Sequence, residues 1–126
     1  MHLLNLNFYN IKSQHIEGTT AKYNISFNCE HPIYAAHFPE HPITPGAATV
    51  QVCKELTESM ISQSLFLKTM KNVKFLKIIT PNEADDVNIS LTVIKNESEY
   101  KVNALVSGEN ETVFAKLSLI FQQINL

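Results

Sequence analysis

Four segments of this chain alternate apolar residues with mostly polar ones. Alternation of that kind commits a segment to a β-strand with one buried face, because successive side chains point to opposite sides. Ala21, Tyr23, Ile25 and Phe27 are interleaved with Thr20, Lys22, Asn24 and Ser26. Further along, Val87, Ile89, Leu91 and Val93 alternate with Asn88, Ser90 and Thr92, and Tyr100, Val102, Ala104 and Val106 alternate with Lys101 and Asn103. Val113, Ala115, Leu117, Leu119 and Phe121 then alternate with Thr112, Lys116 and Ser118. Asn96-Glu97-Ser98 and Gly108-Glu109-Asn110 supply the small polar residues that tight connections favour, so the last three segments are expected to form an antiparallel meander. Val73 to Ile79 reads as a further strand, ended by Thr80-Pro81-Asn82.

Between the first strand and this one lies one long helical segment, from Gly46 to Gln63. Thr49, Val52, Cys53, Leu56 and Met60 recur at spacings of three and four and make one apolar stripe. Gln51, Glu55, Glu58 and Ser62 fall on the opposite face. One helix among about five antiparallel strands has to bury its stripe against the sheet. The expected class is α+β, an antiparallel β-sheet wrapped around one long central helix, which is the hot-dog architecture. A chain of 126 residues, 44% of them hydrophobic, suits one core, and no repeat or linker interrupts it, so residues 1–126 are expected to be a single domain.

The formal charge of −2 leaves no basic excess for phosphates, so no nucleic-acid partner is expected. No apolar run approaches the ~20 residues of a membrane span, and the first residues lack a basic start and long apolar stretch. A cytoplasmic protein without a membrane span is expected. Cys29 and Cys53 have no metal-ligand or disulfide-framework spacing and read as buried thiols. Five histidines without ligand spacing give no metal site, and the loop histidines His31 and His41 are expected to be solvent-exposed or to satisfy a backbone group.

Residues 37–51 read HFPEHPITPGAATVQ. Three prolines and a glycine make the start of this stretch a rigid loop, since proline fixes its own backbone and restrains the residue before it. Such a loop holds a side chain in place without regular structure. Gly46 then opens the helix, where unpaired amides and the positive end of the helix dipole favour an oxygen carrying negative charge. A thioester carbonyl gaining enolate character would be stabilised by such a donor.

HFPEHPITPG resembles the HFPG-x-P-x-x-PG signature of the bacterial 3-hydroxyacyl-acyl-carrier-protein dehydratases, which are hot-dog enzymes of fatty-acid synthesis. Asn72-Val73-Lys74-Phe75 and Thr80-Pro81 are similar to that family's strand leading into a proline-containing turn, and the likeness runs from about Phe8 to Gln122. The resemblance implies dehydration of 3-hydroxyacyl thioesters on acyl carrier protein to trans-2-enoyl thioesters, in fatty-acid or related lipid or polyketide synthesis. It implies His37 as the base that removes the proton α to the carbonyl, a role that suits an imidazole with its ordinary pKa of about 6.5. It also implies that the Gly46 amide polarises the carbonyl. No cofactor is implied, because dehydration moves no electrons. A homodimer is implied, because the two halves of the family's site come from different subunits. The thioester partner is carried by acyl carrier protein or coenzyme A.

The family completes its site with an acid on the helix, six residues after the last proline; this chain has Gln51 there. An amide has no titratable proton for a leaving hydroxide, and a positioned general acid contributes roughly 100- to 10,000-fold in rate. Gln51 is expected to hold the hydroxyl or a water while His37 takes the α proton and delivers it to the leaving oxygen. Glu55 lies ~6 Å further along the helix axis, and Glu40 stands where the family has glycine. Both are expected to be solvated, as charged side chains usually are, and Phe38 to pack in the core. Two alternatives remain: a noncatalytic acyl-thioester-binding subunit that pairs with an active relative, and a thioesterase, another chemistry of the same fold.

Overall fold

The alternating segments become the inner strands of a six-stranded antiparallel sheet. The computed structural model describes residues 3, 4, 6–36, 42–81 and 86–124 of the chain. In chain order it contains β1 (Tyr9–Glu17), β2 (Thr20–Phe27), a short helix α1 (Pro32–Ala36), the long helix α2 (Gly46–Ile61), β3 (Leu65–Phe75), β4 (Val87–Asn96), β5 (Glu99–Ser107) and β6 (Val113–Gln123). The strand order is β1-β2-β4-β5-β6-β3. The last three strands in sequence that alternate, β4, β5 and β6, form the expected meander.

Register carries the buried faces across the sheet. Tyr23 lies opposite Ile89, Ile89 opposite Val106, and Val106 opposite Ala115, and all four are buried. Helix α2 lays its stripe on this face: Val52, Cys53 and Leu56 are fully buried, Thr49 nearly so, and Met60 packs at the margin. Burial pushes the Cys53 thiol up to about 12, so it is a neutral packing residue. The helix ends two residues earlier than expected because Ser62 turns left-handed, with φ 56°, and its N–H bonds the Glu58 carbonyl.

Two differences from the sequence reading share a cause at the sheet edges. Strand β1 was not anticipated, because an edge strand with exposed polar residues and a register shift between Ile11 and Ser13 has no period-two signal. Strand β3 runs over Leu65–Phe75 rather than Val73 to Ile79, and register shifts at Leu67/Thr69 and Met70/Asn72 blur its alternation. Beyond Phe75 the chain leaves the ladder: the Leu76 and Lys77 amides both donate to the Phe114 carbonyl, at 2.8 and 3.1 Å. Cys29 is exposed rather than buried, in the turn after β2, where the Glu30 amide donates to the Asn28 side chain at 3.1 Å.

The face of α2 that carries Gln51, Glu55, Glu58 and Ser62 is not solvated throughout, contrary to its polar composition. Glu55 is buried there, because the segment containing Leu3, Leu4 and Phe8 straps over it. The strap is fixed at its far end by the Phe8 amide on the Leu3 carbonyl (3.0 Å) and the Asn28 amide on the Phe8 carbonyl (2.8 Å).

Because Leu56 joins helix to sheet with no exposure, Leu56→Ala should cost about 2–5 kcal/mol in denaturant unfolding. Ile94→Thr on the outward face, where Ile94 is 52% exposed, should change stability by no more than about 0.5 kcal/mol.

Candidate active site

The described segments that flank residues 37–41 are held to each other and to the sheet. Residues 37–41 lie outside the described residues, and with them the expected base His37, together with Phe38, Glu40 and His41. On one side α1 ends at Ala36, the residue before His37. On the other, Thr44 and Pro45 lead into α2. A hydrogen bond of 2.9 Å between the Tyr34 hydroxyl and Thr44 Oγ1 joins the two sides, and both residues are buried.

Each anchor has its own support. The Tyr34 ring stacks on Phe8 with centroids 5.5 Å apart, and Phe8 in turn meets the edges of Phe27 and His31 at 5.4 and 5.3 Å. His31 Nδ1 accepts the Ile33 amide at 3.1 Å, so this histidine satisfies a backbone group at the start of α1. Burial pushes the Tyr34 phenol up to about 12 against the opposing pull of its bond to Thr44, so it stays neutral and able to donate at physiological pH. The Thr44 amide donates to the Ile79 carbonyl at 2.9 Å, which ties the loop to the segment that follows β3.

Gly46 stands at the first position of α2, where the helix leaves its own amides without intrahelical partners. It opens onto a cleft of about 340 Å³ whose walls include Ile43, Thr49, Phe75, Ile78, Phe114 and Ala115. A β-carbon at position 46 would lie 2.8 Å from the tip of the Phe75 ring. The absence of a side chain is what lets that ring close over the helix start. A groove of about 470 Å³ on the outer face of the sheet is larger, but Asn72, Lys74, Asn103 and Lys116 line it and it contains none of the expected site residues.

Gln51 does not share the cleft. Five residues along a helix of ~3.6 residues per turn place it about 140° around the axis from Gly46. Its side-chain nitrogen donates to Glu55 Oε2 at 2.8 Å. Glu55 also accepts the Leu3 amide at 2.7 Å, the Leu4 amide at 2.9 Å and the Tyr9 hydroxyl at 3.2 Å. Burial raises the Tyr9 pKa, reinforced by the Glu55 charge and by their hydrogen bond, so Tyr9 is a donor here. Tyr9, Tyr34 and Thr44 are the residues that sequence reasoning missed, and Glu55 is one that it expects to be solvated and that is buried. Only the Gln51/Glu55 spacing of four carried any signal of them. Among the described residues, no three His, Cys, Asp or Glu side chains cluster as metal ligands, and no helix is long and apolar enough to cross a membrane.

Comparison with known proteins settles the class first. The dehydratase heterocomplex ApeI:P from Xenorhabdus doucetiae superposes with a TM-score of 0.77 at 10% identity, covering 90% of this chain and 96% of that one. The thioesterase HI1161 from Haemophilus influenzae superposes with a TM-score of 0.66 at 13% identity, covering 98% of this chain and 82% of that one. At such identities the likeness defines the fold, the hot-dog fold of dehydratases and thioesterases. The family model described as ApeI-like, the ApeI dehydratase, matches residues 12–116. The 3-hydroxyacyl-acyl-carrier-protein dehydratase FabZ of Wolbachia sp. subsp. Brugia malayi is 31% identical over 116 residues, covering 80% of this chain and 75% of the relative. FabZ of Ehrlichia chaffeensis is 33% identical over 100 residues, covering 73% and 67%. The chain belongs to the ApeI-like dehydratase family of hot-dog proteins.

The Tyr34–Thr44 bond is buried and made between uncharged groups, so Tyr34→Phe should cost about 0.5–1.5 kcal/mol in denaturant unfolding. Thr44→Val, which removes the other partner, should not add a second cost of that size in the Tyr34→Phe background.

Proposed function

We propose that this protein removes water from 3-hydroxyacyl thioesters carried by acyl carrier protein, giving trans-2-enoyl thioesters for fatty-acid or related lipid or polyketide synthesis. The observation that carries the reading is the cleft at Gly46: an apolar wall beside helix-start amides, lined also by Ile43 and Thr44 from the motif that begins at His37 in the sequence. In this reading the acyl chain lies along Phe75 and Phe114, and the Gly46 amide donates to the thioester oxygen. His37 takes a proton from the α carbon. The electron pair left there forms the new double bond as the bond from the β carbon to its hydroxyl breaks, and the same proton leaves on the hydroxide as water. Gln51, which cannot supply a proton, hydrogen-bonds the hydroxyl.

The 140° between Gly46 and Gln51 supports a site shared by two copies of the chain, in which Gln51 of one faces Gly46 of the other. The sheet edges support the same arrangement. Strand β1 carries Asn10, Lys12, His15 and Glu17, which suit a free edge, whereas β3 exposes Phe66, Met70 and Phe75. We infer a homodimer joined along β3. Sedimentation should show two copies, and Met70→Asp should give a monomer that has lost dehydration activity.

A second reading draws on Gln51 standing in place of the acid: the chain is the noncatalytic half of a mixed pair with an active relative. The dehydratase from Xenorhabdus doucetiae, similar in fold, is described as a heterocomplex. Enoyl formation on 3-hydroxyacyl carrier-protein thioesters separates the two. The purified chain alone should form enoyl product, and His37→Ala should lower kcat by roughly 100- to 10,000-fold. Absence of product from the chain alone, with activity on mixing with an acid-bearing relative, would establish the second reading.

A further inference from the structure

Glu55 has no part in the reaction as written, yet it is the most heavily hydrogen-bonded side chain near the site. It is only 6% exposed and accepts from two backbone amides, a tyrosine hydroxyl and the Gln51 side chain. A carboxyl group withdrawn from water is tolerated only when its oxygens are satisfied. Every partner here is a donor, the pattern that a carboxylate completes and a carboxylic acid does not. Among the described residues no ion pair reaches it, since Lys12–Asp86, His15–Glu17 and Lys68–Glu99 all lie elsewhere. Among the described residues, its partners are all neutral donors.

The bond to Gln51 removes an ambiguity that a glutamine otherwise carries, because its nitrogen donates and its oxygen accepts and the two ends are interchangeable in shape. An acceptor one turn away at 2.8 Å selects the rotamer in which the nitrogen faces Glu55. The amide is trigonal, so the oxygen then points away from Glu55. A hydroxyl approaching Gln51 therefore meets an acceptor and donates its own proton to it.

We propose that Glu55 is a positioning residue, which fixes the Gln51 amide as a hydrogen-bond acceptor for the substrate hydroxyl and clamps the Leu3–Leu4 strap over α2. The first half rests on the dehydratase reading; the clamp does not. Glu55 orients the substrate hydroxyl through Gln51 and does not touch it. The strap couples into the same carboxylate, so the order of residues 3 and 4 and the orientation of Gln51 stand or fall together.

The test is a double-mutant cycle on the intact protein, with 3-hydroxybutyryl carrier protein as the probe. Glu55→Ala should lower kcat by about tenfold with KM nearly unchanged, and in the Gln51→Leu background the same substitution should have no further effect on kcat. Loss of kcat that multiplies across the two substitutions would show a purely structural role and overturn the assignment. Glu55→Gln serves for the same cycle where Glu55→Ala fails to fold. Two readouts need no turnover: exchange of the Leu3 and Leu4 amides, and the NMR signal of the Gln51 side-chain NH2. Both amides should be protected in the wild type and lose protection in Glu55→Gln, and the NH2 signal should shift. Unchanged exchange and an unchanged signal would sink the clamp. Wild-type protein inert towards the thioester, with both signals behaving as expected, would overturn the dehydratase reading and leave the clamp standing.

Discussion

Burial of one face of α2 against one face of the sheet is the contact on which the other elements depend. Val52, Cys53 and Leu56 have no exposure, and the strand residues they meet lie in rows that continue from β2 to β6. The order of that packing also sets the site. Once the stripe is seated, the first residue of α2 is held at the end of the sheet beside Phe75 and Phe114. The loop before it is brought against Tyr34 and Ile79. An apolar cleft and the helix start that opens onto it are thus produced by the same rigid-body placement.

The sequence disclosed the parts of the fold that are governed by a repeating pattern. Strands β2, β4, β5 and β6 each have one buried and one solvated face, so their periodicity survives in the residues themselves. So does the stripe of α2. Strands β1 and β3 lie at the edges, where bulges shift the phase and neither face is uniformly buried, and no local pattern marks them. Glu55 is the plainest case of tertiary context overriding composition. On the helix it belongs to a polar flank and reads as solvated. Its burial is imposed by a strap more than fifty residues away in sequence.

The site was legible to a different depth. The proline-rich motif pointed to Gly46 from backbone reasoning alone, and the structure puts Gly46 at a helix start facing an apolar cleft. Tyr34 and Thr44 were not visible beforehand, because their importance lies in a contact across the loop and neither residue type marks it. Gln51 was visible as a departure from the family pattern, but the burial of Glu55 beside it was not. A glutamine bonded to a buried carboxylate has a defined direction, which composition cannot express.

The two edges of the sheet differ, and the difference bears on how copies of this chain accumulate. An assembly that joins like edge to like edge closes on itself after one contact, since each copy has then used the edge it joined with. Growth into fibres requires a second adhesive edge on the far side of the sheet. Here the far side is β1, bulged at Ile11/Ser13 and lined with charged and amide side chains. In the β3-joined pair proposed above, the polar residues along β1 would leave a further copy of the chain no adhesive edge on which to add a strand.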